Sequence, residues 1–166
     1  MLIFREKEIL SAAQCAFIEN ADFLSKQKWC KNRLCNGILF RQSSEFFEKI
    51  GLTQVELPSE ELKRVHSALS RENLFDGFAL LGTSLPKLTL SEKSAIGTML
   101  SPAHCPLADA KTFKSLSLDF SERDFFFYAA QCKFLSERLN KTGIDTPFGV
   151  NWNVSSVDVC VRHLFK

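Results

Sequence analysis

Nowhere does this chain run to the roughly 20 consecutive apolar residues that a membrane-spanning helix requires, so a helical channel or transporter is not a reading it offers. Glycine and proline are scarce, 7 and 5 among 166 residues, which excludes collagen-like and low-complexity architectures. Neither GxGxxG nor GxxxxGK[ST] occurs, so the common phosphate-cradling loops are missing. No two of the six cysteines stand at CxxC spacing, which removes the strongest sequence sign of a structural zinc site. Polar aromatics are nearly absent as well, with one Tyr and two Trp beside sixteen Phe. Phe carries a large apolar area with no polar handle, so it suits cores and greasy contacts more than polar recognition.

What remains is an ordinary globular balance, 45% hydrophobic and 24% charged, on a length that fits one domain with a real core. The net charge of +2 is unevenly spread. Residues 23–44 carry Lys26, Lys28, Lys31, Arg33 and Arg41 and no acid, and the remainder of the chain is mildly acidic. A local positive patch suits an anionic partner or an acidic neighbouring surface. Met1-Leu2-Ile3-Phe4 is followed at once by charged residues and is too short for a signal h-region. Together with scattered single cysteines, this sets the expectation of a cytoplasmic or other reducing intracellular compartment. The Asn140 and Asn153 glycosylation patterns are then chance matches.

The chain reads as a mainly α, irregular multi-helix single domain over 1–166, helical to about residue 142. Ser11 with Gln14 resembles a capping box opening a helix to about Ser25. Ser43 opens a short helix stopped by Gly51, and Ser59-Glu60-Glu61 after Pro58 opens another, with Leu62, Val65 and Leu69 on its buried face. Ser91 and Pro106 mark the starts of two further short helices. Ser121 caps the clearest one, with Glu122 and Asp124 at its positive end and Gly143 just beyond its close. On that helix Phe125, Tyr128, Ala129, Cys132, Leu135 and Leu139 form one stripe, while Phe126, Phe127, Ala130 and Phe134 fall on the other side. A helix apolar on two sides is either buried between layers or covered by another subunit.

After Gly143 the spacing changes. Val150, Trp152 and Val154, then Val157, Val159 and Val161, alternate with period two, which predicts a small C-terminal β element in the 148–166 tail. Met1–Phe4 is its candidate pairing strand. The competing pattern is a helix capped by Ser155 with Asp158, aligning Val157, Cys160, Val161 and Leu164.

The chemistry-bearing constellations are weak. Cys30 and Cys35 would diverge on a helix, and Cys160 with His163 shares a face only if the tail is helical, so no metal or cofactor is expected. In His104-Cys105 adjacent side chains point apart, so the pair does not form a nucleophile with its base. The acids sit mostly at helix starts, where dipoles explain them. The sequence therefore points to a non-catalytic subunit or adaptor that binds protein partners through Phe126, Phe127, Ala130 and Phe134, with Trp29 as a second contact. The alternative is a nucleic-acid-binding accessory protein using Lys26, Lys28, Lys31, Arg33 and Arg41. Asn36-Gly37 closes the basic stretch as a helix stop or a hairpin turn.

Overall fold

The computed structural model describes residues 4–166. Nine helices follow one another among them: α1 (Glu6–Glu19), α2 (Ala21–Cys35), α3 (Ser43–Lys49), α4 (Ser59–Ser70), α5 (Leu74–Ser84), α6 (Leu90–Leu100), α7 (Ala110–Ser115), α8 (Glu122–Lys141) and α9 (Val154–Leu164). Two clusters of buried side chains organise them. One joins α1, α8 and α9 with Phe113, Cys105 and Phe78. The other gathers Cys30, Leu39, Phe46 and Phe47 with residues of α4, α5 and α6.

Local chemistry sets most boundaries. The Ser121 hydroxyl accepts from the Asp124 N–H and opens α8, as its sequence predicts. At the end of α2, Gly37 takes φ +66°, its N–H bonds the Leu34 carbonyl, and the Ile38 N–H bonds that of Arg33. This is a Schellman close, so Asn36-Gly37 is a helix stop and not a hairpin. Four starts differ from expectation, the first at α4, where Ser59 is the opening helical residue behind Pro58 and caps nothing with its side chain. Ser11 lies inside α1 and bonds back to the Glu8 carbonyl, because the Arg5 N–H and the Glu8 carboxylate (2.6 Å) already fix an earlier start. The stretch read as one helix to Ser25 breaks at Asn20, whose side-chain amide takes the Ala16 carbonyl at 2.8 Å. Thr89 with Glu92 caps α6 in place of Ser91, and Asp109 caps α7 in place of Pro106.

The expected C-terminal β element is not there; no strand occurs among the described residues. Met1–Ile3 of its candidate partner lie outside the described residues, and Phe4 is buried with its ring edge-on to Tyr128. Residues 154–164 form α9, capped by Asn153, whose side chain accepts from the Ser156 N–H at 2.8 Å while Ser156 Oγ accepts from the Asn153 N–H at 2.7 Å. The physical reason lies in burial. Every residue from Val154 to Val161 is buried, so the polar positions that mimic a strand's wet face are inside too. They are satisfied there: Ser155 accepts from Gln27, and Asp158 accepts from Tyr128.

Helix α6 is nearly as enclosed, with Ser94 and Ile96 to Leu100 all buried. A Cβ on Gly97 would lie 2.5 Å from Cys105 Sγ, so only glycine admits the 101–108 loop this close. The Gln27 amide then ties three helices, donating to the Thr98 carbonyl and hydroxyl and to Ser155.

Candidate interaction face

Helix α8 presents two apolar sides, and the structure separates them. Phe125, Tyr128, Ala129, Cys132, Leu135 and Leu139 are buried against α1 and α9, as their stripe predicts. On the outer side Phe127 and Phe134 are 44% and 46% exposed, and Ala130 between them is exposed. Phe126 is half-buried and bridges the two sides, 5.6 Å from the Phe78 ring and 6.0 Å from that of Phe75. Phe75, on α5, is 68% exposed and extends the same face. Sequence reasoning missed it, although its position off the Leu74, Phe78 and Leu81 stripe marks it as outward-facing.

Charged groups border this face. Lys133 pairs with Glu72, which also faces His104 at 3.6 Å, and the Lys133 hydrogen bond holds the Glu72 carboxyl below its usual range. The Arg138 guanidinium lies 5.6 Å over the Phe134 ring and pairs with Glu6. A shallow cavity of about 340 Å³ opens between Phe75, Phe126, Ala130 and Lys133. The face thus combines an apolar centre with a charged border.

The basic stretch does not make one face. Lys26 pairs with Asp22 at 3.2 Å, and Arg33 pairs with Glu45 at 2.8 Å while stacking 4.5 Å over the Trp29 ring. Arg41 donates back to the carbonyls of Gly37 and Asn36. Trp29 is half-buried, packed on the second cluster, with Lys49 also over its ring. Only Lys28 and Lys31 come together, along a groove beside α2.

The reactive groups are built into the core. Burial pushes the Cys30 and Cys160 thiols up to about 12 and those of Cys105 and Cys132 well above the ordinary value, so all four stay protonated. Cys30 and Cys160 fall in different clusters, and no group of three or more His, Cys, Asp or Glu side chains is placed to hold a metal ion among the described residues. His104 meets Ser101 Oγ at 2.9 Å, whereas Cys105 faces the carbonyls of Ser94 and Pro106. Asp158 is the one fully buried carboxyl among the described residues. It accepts from Tyr128 Oη at 2.8 Å, from Arg162 Nε at 2.9 Å and from the Leu107 N–H at 3.2 Å. Desolvation nonetheless raises its pKa, against the lowering pull of Arg162. Arg162 also reaches Asn20 Oδ1 at 3.3 Å and lies 4.8 Å over the Phe23 ring.

No helix among the described residues is long and apolar enough to cross a membrane. No protein-family model, curated protein or solved structure matches the chain.

Proposed function

We propose that this protein is a non-catalytic subunit or adaptor whose outer α8 face, Phe126, Phe127, Ala130 and Phe134 joined by Phe75, binds a partner protein. The carrying observation is that one helix supplies a complete buried stripe on one side and two half-exposed phenylalanines on the other. From Phe127 to Phe134 the face runs about 10 Å along the helix axis, room for two turns of a partner helix. Its charged border would set the orientation of that partner and supply little affinity. Free thiols, four of them buried, fit a reducing compartment. The nucleic-acid reading has less support, because Lys26, Arg33 and Arg41 are already engaged within the chain.

The test is tandem-affinity purification from the native source with wild type and the Phe127→Glu/Phe134→Glu variant, each first checked for an unchanged helical circular-dichroism spectrum. A stoichiometric protein partner that co-purifies with wild type and is lost from the variant is the expected result. Retention of the same partner by the variant, or a nuclease-sensitive association lost only on charge reversal at Lys26, Lys28, Lys31 and Arg33, would sink the proposal.

A further inference from the structure

A larger concavity lies elsewhere, between α2 and the 146–153 loop, with a volume of about 630 Å³. Ala21, Leu24, Lys28, Lys31 and Asn32 line one wall at helical spacing. They cover three turns, about 16 Å of helix axis. Thr146, Phe148, Val150 and Asn151 line the facing wall, and Phe17 closes the apolar end.

Two features of this groove are unusual for a solvated surface. The first is that its loop is fixed yet greasy. Thr146 N–H donates to the Val150 carbonyl at 2.9 Å, Trp152 Nε1 donates to the Ile144 carbonyl at 2.8 Å, and the Asn140 amide exchanges two bonds with the Trp152 backbone. Thr146 is buried, and the Phe148 ring stands edge-on to Phe17 at 5.1 Å. Even so, Phe148 and Val150 remain 56% and 59% exposed. A segment held this firmly pays no large ordering cost when something docks on it. The second feature is charge: Lys28 and Lys31 are exposed along the groove, and no carboxylate lines it.

We infer that this groove is a second docking site, separate from the α8 face, and that its occupant is a short acidic peptide segment of another protein carrying an apolar anchor. The anchor seats against Phe17, Leu24, Phe148 and Val150. Acidic side chains one helical turn of α2 farther on meet Lys28 and Lys31, and the side-chain amides of Asn32 and Asn151 offer donors and acceptors to the peptide backbone. Concavity disfavours a bilayer, which would meet a rim before it met the lysines. Two cations are too few to track a nucleic-acid backbone.

The site shares no lining residue with the α8 face, so its test does not depend on the adaptor partner. A random-peptide phage library is selected on the purified full chain, and an enriched peptide is synthesised with a fluorescein label for polarisation titration. Enriched sequences should combine a large apolar residue with acids. Lys28→Glu/Lys31→Glu, at exposed positions, should weaken the peptide at least about tenfold, and raised salt should weaken wild-type binding. Phe127→Glu/Phe134→Glu should leave the affinity unchanged. The inference is overturned by failure to enrich any peptide, by a consensus without acids, by binding insensitive to the lysine reversals, or by lysine-dependent binding of phosphatidylserine vesicles or a single-stranded oligonucleotide in place of peptide.

Discussion

Replacing Arg162 by Met should make the stability of this protein depend steeply on pH. The Asp158 carboxyl is fully buried, and Arg162 is the cation that faces it. Burial already raises the Asp158 pKa above its unfolded value, and Arg162 pulls the other way. A group whose folded pKa is raised contributes most below its unfolded pKa, and that contribution is lost as pH rises through the folded value. Without Arg162 the carboxyl must enter the core as the neutral acid. Holding a carboxyl of unfolded pKa about 3.9 protonated costs about 4 kcal/mol at pH 7 and about 1.5 kcal/mol at pH 5. The Arg162→Met penalty should therefore shrink by more than half on acidification, as the acid keeps Tyr128 and the Leu107 N–H within hydrogen-bonding reach. Asp158→Asn does the reverse: it removes the opposing charge and leaves the largely buried guanidinium with neutral acceptors alone, Asn20 and the new amide oxygen, beside the Phe23 ring, at a cost of about 3–5 kcal/mol. The double variant should lose less than the sum of the two by about 2 kcal/mol, because no charge is left stranded. Urea unfolding followed at 222 nm, at pH 5, 6 and 7, measures all four proteins. Additive penalties with parallel pH profiles would refute the assignment of Asp158 and Arg162 as a mutually dependent buried pair.

Other outcomes are simpler to read. Of the six thiols, Cys15 and Cys35 are exposed and should react with Ellman's reagent within seconds to minutes, while Cys30, Cys105, Cys132 and Cys160 should react only on unfolding; prompt labelling of more than two would contradict the packing. Gly97→Ala drives a methyl into Cys105 Sγ and should cost about 1–3 kcal/mol by urea denaturation. Adding Cys105→Ala should recover part of that loss, and no recovery would separate the strain from this contact. Asn153→Ala removes the α9 cap and should cost about 1 kcal/mol, with the loss appearing as faster hydrogen exchange in the first turn of α9.

How much of this was legible in the sequence follows from where each helix sits. Helix α8 was readable nearly in full, since Ser121, the acids after it, Gly143 and the Phe125-to-Leu139 stripe all agree, and that stripe is buried as its period requires. Helix α4 was readable from its stripe and its first-turn acids, with Leu62, Val65 and Leu69 inside, although Ser59 is its first helical residue and not its cap. Helix α9 was not. A helix enclosed on every side owes its periodicity to no solvent face, and its valines and serines alternate by accident of composition. Its competing helical pattern was visible, but with Ser155 in the capping role that Asn153 holds. The outward side of α8 was named from the sequence, whereas its exposure depended on which neighbours the fold left off it. Phe75 and Phe148 come from segments with weak patterns, a short helix and a loop, so only the assembled structure places them. Asp158 is the hardest case: an acid among valines reads as a solvated residue until its three donors, from α8, α9 and the loop before α7, are brought to it.

The two core clusters also impose an order on the making of the protein. Cys30 to Leu100 contains every buried member of the second cluster, so those helices hold most of their own core as soon as they leave the ribosome. The first cluster instead closes α1 against α9, across nearly the whole length of the chain. Much of the apolar stripe of α1, with Ile9, Ala13, Ala16 and Phe17, must wait uncovered until α8 and then α9 are synthesised. Non-local closure of this kind is slow and leaves the nascent chain open to chaperones and to misassembly. A stop before α9 would therefore strand α1 as well as remove α9, and the damage would be felt more than a hundred residues upstream of the break.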